Sequence, residues 1–171
     1  MKHCVLAKGT LMKSIILSLL ILSGCALFPS HEKDLKSNIA LYKTKASELV
    51  LNIKAKKSFS HIRTLGNELV ALGGNVVAGF KVKDKDCSVY LEKVLEAQPK
   101  MMTLNLDEIE NQYHEGTALP EIEKDLCITA KELIVHPATV VILSRLEDGP
   151  KHREQMEEEL KEVIHHVDEL K

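Results

Sequence analysis

The sequence predicts an all-α fold, an irregular bundle of about five to six helices with one disulfide. Three observations carry that expectation. Apolar residues recur every three or four positions through several separate stretches, which is the period of a one-faced helix. No stretch alternates apolar and polar residues over the length of a strand, and only residues 140–143, four apolar residues in a row, are ambiguous. Glycine, proline and charged clusters cut the chain at intervals that suit helices.

The elements follow in order. A first helix is expected from Asp34, with Leu35, Ile39, Tyr42, Ala46, Leu49 and Ile53 on one face. Lys36, Lys43, Lys45, Lys54, Lys56 and Lys57 crowd the other positions and read as a solvated face; the rival reading is a basic helix lying on anionic headgroups. Ser58 or Ser60 caps a second helix, in which Ile62, Leu65, Leu69, Leu72 and Val76 keep the same period. Residues 69–80 are nearly all apolar but contain Gly73, Gly74 and Gly79, and each glycine costs a helix interior about 1 kcal/mol relative to alanine. The helix therefore either ends near Leu72 or admits a close neighbour, as the buried centre of a bundle; a membrane-touching segment is the alternative. Asp86 caps a third helix over residues 87–98, which Pro99 stops.

Asn105, three residues before Glu108, resembles a capping box, and the helix it opens runs to His114 or Glu115, where Gly116 closes it. After a turn at residues 117–120, a helix over 121–135 places Ile122, Leu126, Thr129 and Leu133 inward. His136-Pro137 interrupts it, and Pro137 suits the first turn of a short helix over 138–146. Beyond Asp148-Gly149-Pro150, a final helix over 151–170 carries Met156, Leu160, Val163, Val167 and Leu170 inward. The longer first and last helices are expected to frame shorter central ones.

Ahead of these helices, residues 14–22 form an apolar run, too short for the about 20 residues that cross a bilayer. Lys2, Lys8 and Lys13 precede it and no acid stands before Cys25, the charge and length of a signal-peptide core. Leu22-Ser23-Gly24-Cys25 closes the run and resembles the lipobox of bacterial lipoproteins, over roughly residues 12–28. The resemblance implies a signal peptide at 1–24, a diacylglyceryl group on the Cys25 sulfur, and an acyl chain such as palmitate on its new amino end. Residues 25–33 become a lipidated tether and 34–171 a single helical domain. Ala26, where a retention signal would have Asp, resembles outer-membrane routing in enterobacterial lipoproteins. The partner so implied is the membrane, through the acyl chains on Cys25, with the domain facing the periplasm. An ordinary secretory signal or an uncleaved anchor helix is the rival reading, and Met12 is an alternative start to Met1.

Without residues 1–24 the chain keeps 147 residues, enough for one core. All 25 acids lie in that part, and three of the 23 lysines and arginines do not, which leaves it five charges negative. That balance speaks against nucleic acid as a partner. Three Tyr, three Phe and no Trp leave little for a stacking platform or a sugar-binding cleft. With Cys25 lipidated, Cys87 and Cys127 form an even pair in an oxidising compartment and are expected to bridge. A redox pair or a thiolate metal site is the alternative, without Cys-x-x-Cys spacing to favour it.

The candidate metal ligands are His114, His136 and Glu110, with Asp107 nearby. Glu110 and His114 lie one helical turn apart, and two helix ends near the disulfide would bring the two imidazoles together. Imidazole and carboxylate are ordinary ligands for zinc or iron. Against this, a histidine at a helix C-terminus also serves by bonding the last carbonyls. The Glu-x-x-His of di-iron bundles is absent, because Asn111 stands three residues before His114. His165-His166, with Glu162 four residues before His166, reads as part of a charged, solvated face. There is no Gly-x-Ser-x-Gly elbow, phosphate-binding glycine loop or His-Glu-x-x-His, so neither catalysis nor a resident cofactor is expected. The functional expectation is an envelope lipoprotein of binding, structural or accessory type, with an envelope protein as partner. The alternative is a metal- or cofactor-binding helical protein using His114, His136 and Glu110.

Overall fold

The computed structural model describes residues 31–170, which form six α-helices and one π-helical turn. No strand occurs among them. Residues 1–30, on which the expected signal peptide, the lipobox resemblance, Cys25 and the first part of the expected tether fall, lie outside the described residues. Helix α1 (His31–Lys54) begins three residues ahead of the expected Asp34, so residues 31–33, expected as the end of a tether, are already helical. Its buried stripe is the expected one, from Leu35 through Tyr42 to Ile53.

Helix α2 (Phe59–Lys83) is capped by the Ser58 side chain, which accepts the His61 N–H. It does not end near Leu72 but runs unbroken through its glycines. A Cβ on Gly73 would lie 2.1 Å from the Leu133 carbonyl oxygen, so only glycine lets the two helix backbones approach this closely. The entropic cost of glycine is offset by that contact, and α2 becomes the longest helix described, at 25 residues. The expected scheme of short central helices therefore fails here.

Helix α3 (Ser88–Met101) takes Cys87, not Asp86, as its N-cap residue. Asp84 accepts the Asp86 N–H and a hydrogen bond from Lys124 instead. Pro99 does not stop α3; it sits in the last turn, where it removes a single intrahelical bond, and the fully buried Met101 holds that turn in place. Helix α4 (Leu106–Ile109) opens on the expected capping box, with both bonds between Asn105 and Glu108 at 2.9 Å. It passes directly into the π-helical turn Glu110–His114, and Gly116, at φ +81°, ends the segment.

The main departure is helix α5 (Asp125–Leu143). Two helices were expected, broken at His136-Pro137; one continuous helix runs through both residues. Pro137 has no N–H to offer the Leu133 carbonyl, one turn back. The Tyr42 hydroxyl of α1 donates to that carbonyl at 2.9 Å, so the lost bond is replaced from a neighbouring helix. Tyr42 is fully buried, and burial pushes its hydroxyl well above the ordinary tyrosine range. Residues 121–124 are not helical, and Leu126, expected inward, is exposed because Cys127, Ala130 and Ile134 take the inner face. Every residue from 129 to 144 is buried. By length and composition α5 would cross a membrane, yet 89% of its apolar window is buried inside the fold, which makes it the core helix of the bundle.

Helix α6 (Pro150–Glu169) buries Met156, Leu160, Val163 and Val167, as expected. α1, α2, α5 and α6 close a four-helix ring in which each packs against two others, while α3 and α4 cover the α2 and α5 side. The Cys87–Cys127 disulfide joins the start of α3 to the first turn of α5, across 40 residues of sequence. A bridge over a loop of this size contributes about 4 kcal/mol in the chain-entropy picture.

Candidate metal centre

Because α5 is continuous, His136 stands in the middle of a helix and is only 1% exposed. Glu132 precedes it by one turn on the same face. Across the seam, α6 presents Glu159, Glu162 and His166, and the π-helical turn brings His114 from the other side. His136 Nδ1 lies 2.7 Å from Glu159 Oε2. His136 Nε2 faces Glu132 Oε2 at 3.7 Å and Glu162 Oε2 at 3.9 Å. The His114 ring meets His136 edge-on with centroids 5.1 Å apart, and the His166 ring stacks on it at 5.6 Å. One ligand atom from each of His114, His136 and Glu159 lies within 4.8 Å of the other two.

Lys131 positions this group. It is 2% exposed, and its Nζ donates to the carbonyls of Tyr113 and His114 at 2.7 and 2.9 Å. The π-helical turn thus ends on a cation supplied by α5, which fixes His114. The same Nζ pairs with Glu132 Oε1 at 2.8 Å, so a buried charge is compensated on both sides. A cleft of about 460 Å³ adjoins His114, with Glu115, Glu121 and Glu123 among its lining. Tyr90 also borders it, its hydroxyl pushed up to about 12 by burial and by the Glu132 charge.

The electrostatics separate the buried His136 imidazole from the half-buried His166 imidazole. Burial works to lower the His136 pKa, but the Glu159 hydrogen bond and the charges of Glu132, Glu159 and Glu162 together outweigh it and raise the value. The His166 pKa is lowered, first by burial and then by the His136 charge. His136 therefore stabilises the fold below the ordinary histidine value of 6.5, a contribution lost as pH rises through its raised pKa. His166 does the reverse: its contribution is present above 6.5 and lost as pH falls through its lowered pKa.

Three atoms of the cluster are buried without a hydrogen-bond partner: Glu132 Oε2, His136 Nε2 and His166 Nδ1. Buried polar atoms of native proteins are nearly always paired, so three orphans in one cluster require an explanation. Imidazoles and carboxylates converging at this spacing can hold a divalent cation.

His114 and His136 come together as the sequence reading expected, but His136 does not end a helix. Glu110 lies 3.7 Å from His114 Nδ1 at an exposed position, and Asp107 is exposed on α4. The acid that joins the two imidazoles is Glu159, which sequence reasoning did not single out. Nor did it find Lys131 or Glu132, because a break at His136-Pro137 hides the Glu132-x-x-x-His136 pair. The matching Glu162-x-x-x-His166 pair was read as solvated; His165 is indeed 79% exposed at its side chain, but His166 turns onto His136. Comparison of the chain with protein-family models, with curated proteins and with solved structures finds no match.

Proposed function

We propose that this chain is a lipid-anchored protein of the bacterial envelope whose periplasm-facing helical domain acts by binding a divalent transition metal. The observation that carries the metal reading is His136, an imidazole at 1% exposure that faces the carboxylates of Glu132, Glu159 and Glu162. One ligand atom from each of His114, His136 and Glu159 lies within 4.8 Å of the other two, and His136 Nε2 and Glu132 Oε2 are buried without a hydrogen-bond partner. A divalent ion would complete such a group, and imidazole and carboxylate are its ordinary ligands. The anchor reading rests on Leu22-Ser23-Gly24-Cys25 and the lysines ahead of it. A disulfide between Cys87 and Cys127 suits the oxidising compartment which that address implies.

The metal is tested on the full chain, purified from membranes in detergent, equilibrated with zinc and freed of excess. Elemental analysis should find about one zinc per chain in the wild type and none in His136→Gln, with unchanged helical circular dichroism. A metal-free wild type, or equal zinc in both proteins, would overturn the reading. The anchor is tested by Cys25→Ser and cell fractionation: the variant should leave the membrane fraction, and undiminished retention would remove lipidation as the cause.

A further inference from the structure

The ligands of the ion, and what they leave open, can be read from the surroundings of His136; this step rests on the metal reading above. An imidazole binds a metal in the plane of its ring through one nitrogen, and its two nitrogens point to opposite sides. Glu159 Oε2 lies 2.7 Å from Nδ1, whereas Glu132 Oε2 and Glu162 Oε2 lie 3.7 and 3.9 Å from Nε2. A single ion on His136 therefore takes Glu159 or the other two acids, not all three. The His166 ring lies over the face of His136, stacked at 5.6 Å with 20° between the planes, away from the in-plane lone pairs. The His114 ring stands at 81° to His136, and it offers a ligand atom within 4.8 Å of those of His136 and Glu159. The group that gathers is thus His114, His136 and Glu159, one from each of the π-helical turn, α5 and α6.

The unpaired atoms fit an ion on the Nδ1 side. In a neutral imidazole one nitrogen donates and the other accepts. With Nδ1 on the metal, Nε2 carries the proton and faces Glu132 Oε2 and Glu162 Oε2, both acceptors. Nε2 and Glu132 Oε2 are each buried without a partner, and a small closing movement pairs them. Glu132 is then the carboxylate that fixes the tautomer of a metal-binding histidine, and Lys131 holds it by Oε1. On the other side, two ligands of a tetrahedral ion sit roughly 3.4 Å apart with bonds of about 2.1 Å. Glu159 must draw back from Nδ1 by about 0.7 Å to admit the ion, a shift that a part-exposed glutamate can make.

Three ligands do not fill the shell of such an ion. Structural zinc sites are closed by four protein ligands, whereas sites with three keep a position for a molecule from outside. Two imidazoles and one carboxylate are a donor set of that second kind, for zinc and for iron(II) alike. Among the described residues no fourth His, Cys, Asp or Glu joins the group. The side chains of His114 and Glu159 are 33% and 21% exposed, so two of the three ligands border solvent. His114 also borders the cleft of about 460 Å³. Glu115, Glu121 and Glu123 line that cleft, and Glu132 and Glu162 lie beyond the His136 ring. This negative field favours entry of a cation and, at the open position, a neutral donor over an anion. We propose that His114, Nδ1 of His136 and Glu159 hold a divalent ion of the Zn²⁺, Co²⁺ or Fe²⁺ class with one coordination position open to a small neutral ligand from outside the protein, while Glu132 orients the His136 ring from Nε2.

The test uses the full chain in detergent, stripped with chelator and loaded with cobalt, whose visible spectrum responds to its ligands. Imidazole, kept above its own pKa, is the neutral probe and azide the anionic one. Imidazole should shift the wild-type spectrum saturably at concentrations that leave the cobalt bound, and azide should shift it more weakly. A spectrum that neither probe moves would overturn the open position, and a stronger response to azide would overturn the preference for a neutral ligand. Zinc affinity, read in competition with a chromophoric chelator, tests the ligands. His114→Ala and Glu159→Gln should each weaken it by about 100-fold or more, and Glu132→Gln by about 10- to 100-fold, as loss of a supporting carboxylate does. His166→Gln should stay within about threefold of wild type, since it removes neither a ligand nor a ligand's partner. Thermal melts of the metal-free proteins establish that each variant is folded. A loss of about tenfold or more in His166→Gln, or no loss in His114→Ala and Glu159→Gln, would overturn the ligand assignment, and the metal function would still stand on a wild type that binds zinc through His136. A wild type that binds no zinc would overturn both.

Discussion

Two buried polar sites sit about one turn apart on α5, and they are built to opposite ends. At the first, the Leu133 carbonyl is left without its helical partner by Pro137 and receives the Tyr42 hydroxyl instead. Gly73 closes over the same oxygen, and the Tyr42 hydroxyl and the Leu133 carbonyl satisfy each other. At the second, His136 collects three carboxylates, and it leaves its own Nε2, Glu132 Oε2 and the neighbouring His166 Nδ1 unpaired. Depth alone does not distinguish them, since Tyr42 and His136 are almost equally buried. The difference is in the accounting of donors and acceptors. A closed account holds helices together, whereas an open one costs stability and persists where something else completes it.

Substitutions at the closed site should register in stability, and those at the open site in metal affinity. The largest expected effect is at Gly73. A Cβ at 2.1 Å from the Leu133 oxygen meets backbone that cannot swing aside, so Gly73→Ala should cost about 3 kcal/mol or more, measured by urea unfolding. A loss below about 1 kcal/mol would mean that the α2–α5 approach is not tight. Tyr42→Phe removes only the donor to the Leu133 carbonyl and should cost about 1–3 kcal/mol by the same measurement. A neutral outcome would show that the carbonyl needs no partner, and the contrast with His136 would lose its basis.

Asp84 offers a surface control. The Lys124 hydrogen bond holds its carboxyl below the ordinary aspartate value of 3.8, so its contribution is present above that pH and lost as pH falls through the lowered value. Asp84→Asn should cost less than about 1 kcal/mol at neutral pH, and the two proteins should converge in stability as pH falls through the lowered Asp84 value. A gap that persists in acid would assign the loss to something other than this pair. Smallest of all should be the stability change in metal-free Glu162→Gln, within about 0.5 kcal/mol, because its side chain is exposed. A loss above about 1 kcal/mol would show that this carboxylate belongs to the packed seam and not to its solvated edge.

Most of the fold could be read along the chain. The stripes of α1 and α6, the Asn105 capping box, the Gly116 stop and the Cys87–Cys127 bridge depend on spacing of three or four residues or on pairing by elimination. Two departures had the same origin. The glycines of α2 and Pro137 of α5 are locally unfavourable in helices, yet both helices continue, because what Gly73 and Pro137 forgo locally is supplied across the α2–α5 and α1–α5 contacts. The site was half legible for that reason. His114 and His136 were expected to meet, but a break at Pro137 separated Glu132 from its place beneath a buried ring. Without that ring in the core, Glu159, Glu162 and His166 had no reason to be read as anything but solvated.

By itself, the sequence determined that the chain is helical, which faces of the first and last helices turn inward, and which two cysteines pair. These follow from local periodicity, local capping chemistry and counting. Only the tertiary structure decided that α5 passes intact through Pro137 and that His136 is buried between two acid-bearing helices. The physical reason is that a missing N–H is tolerated only when another group reaches the orphaned carbonyl. The Tyr42 hydroxyl that does so comes from 91 residues away, a distance over which no local pattern speaks.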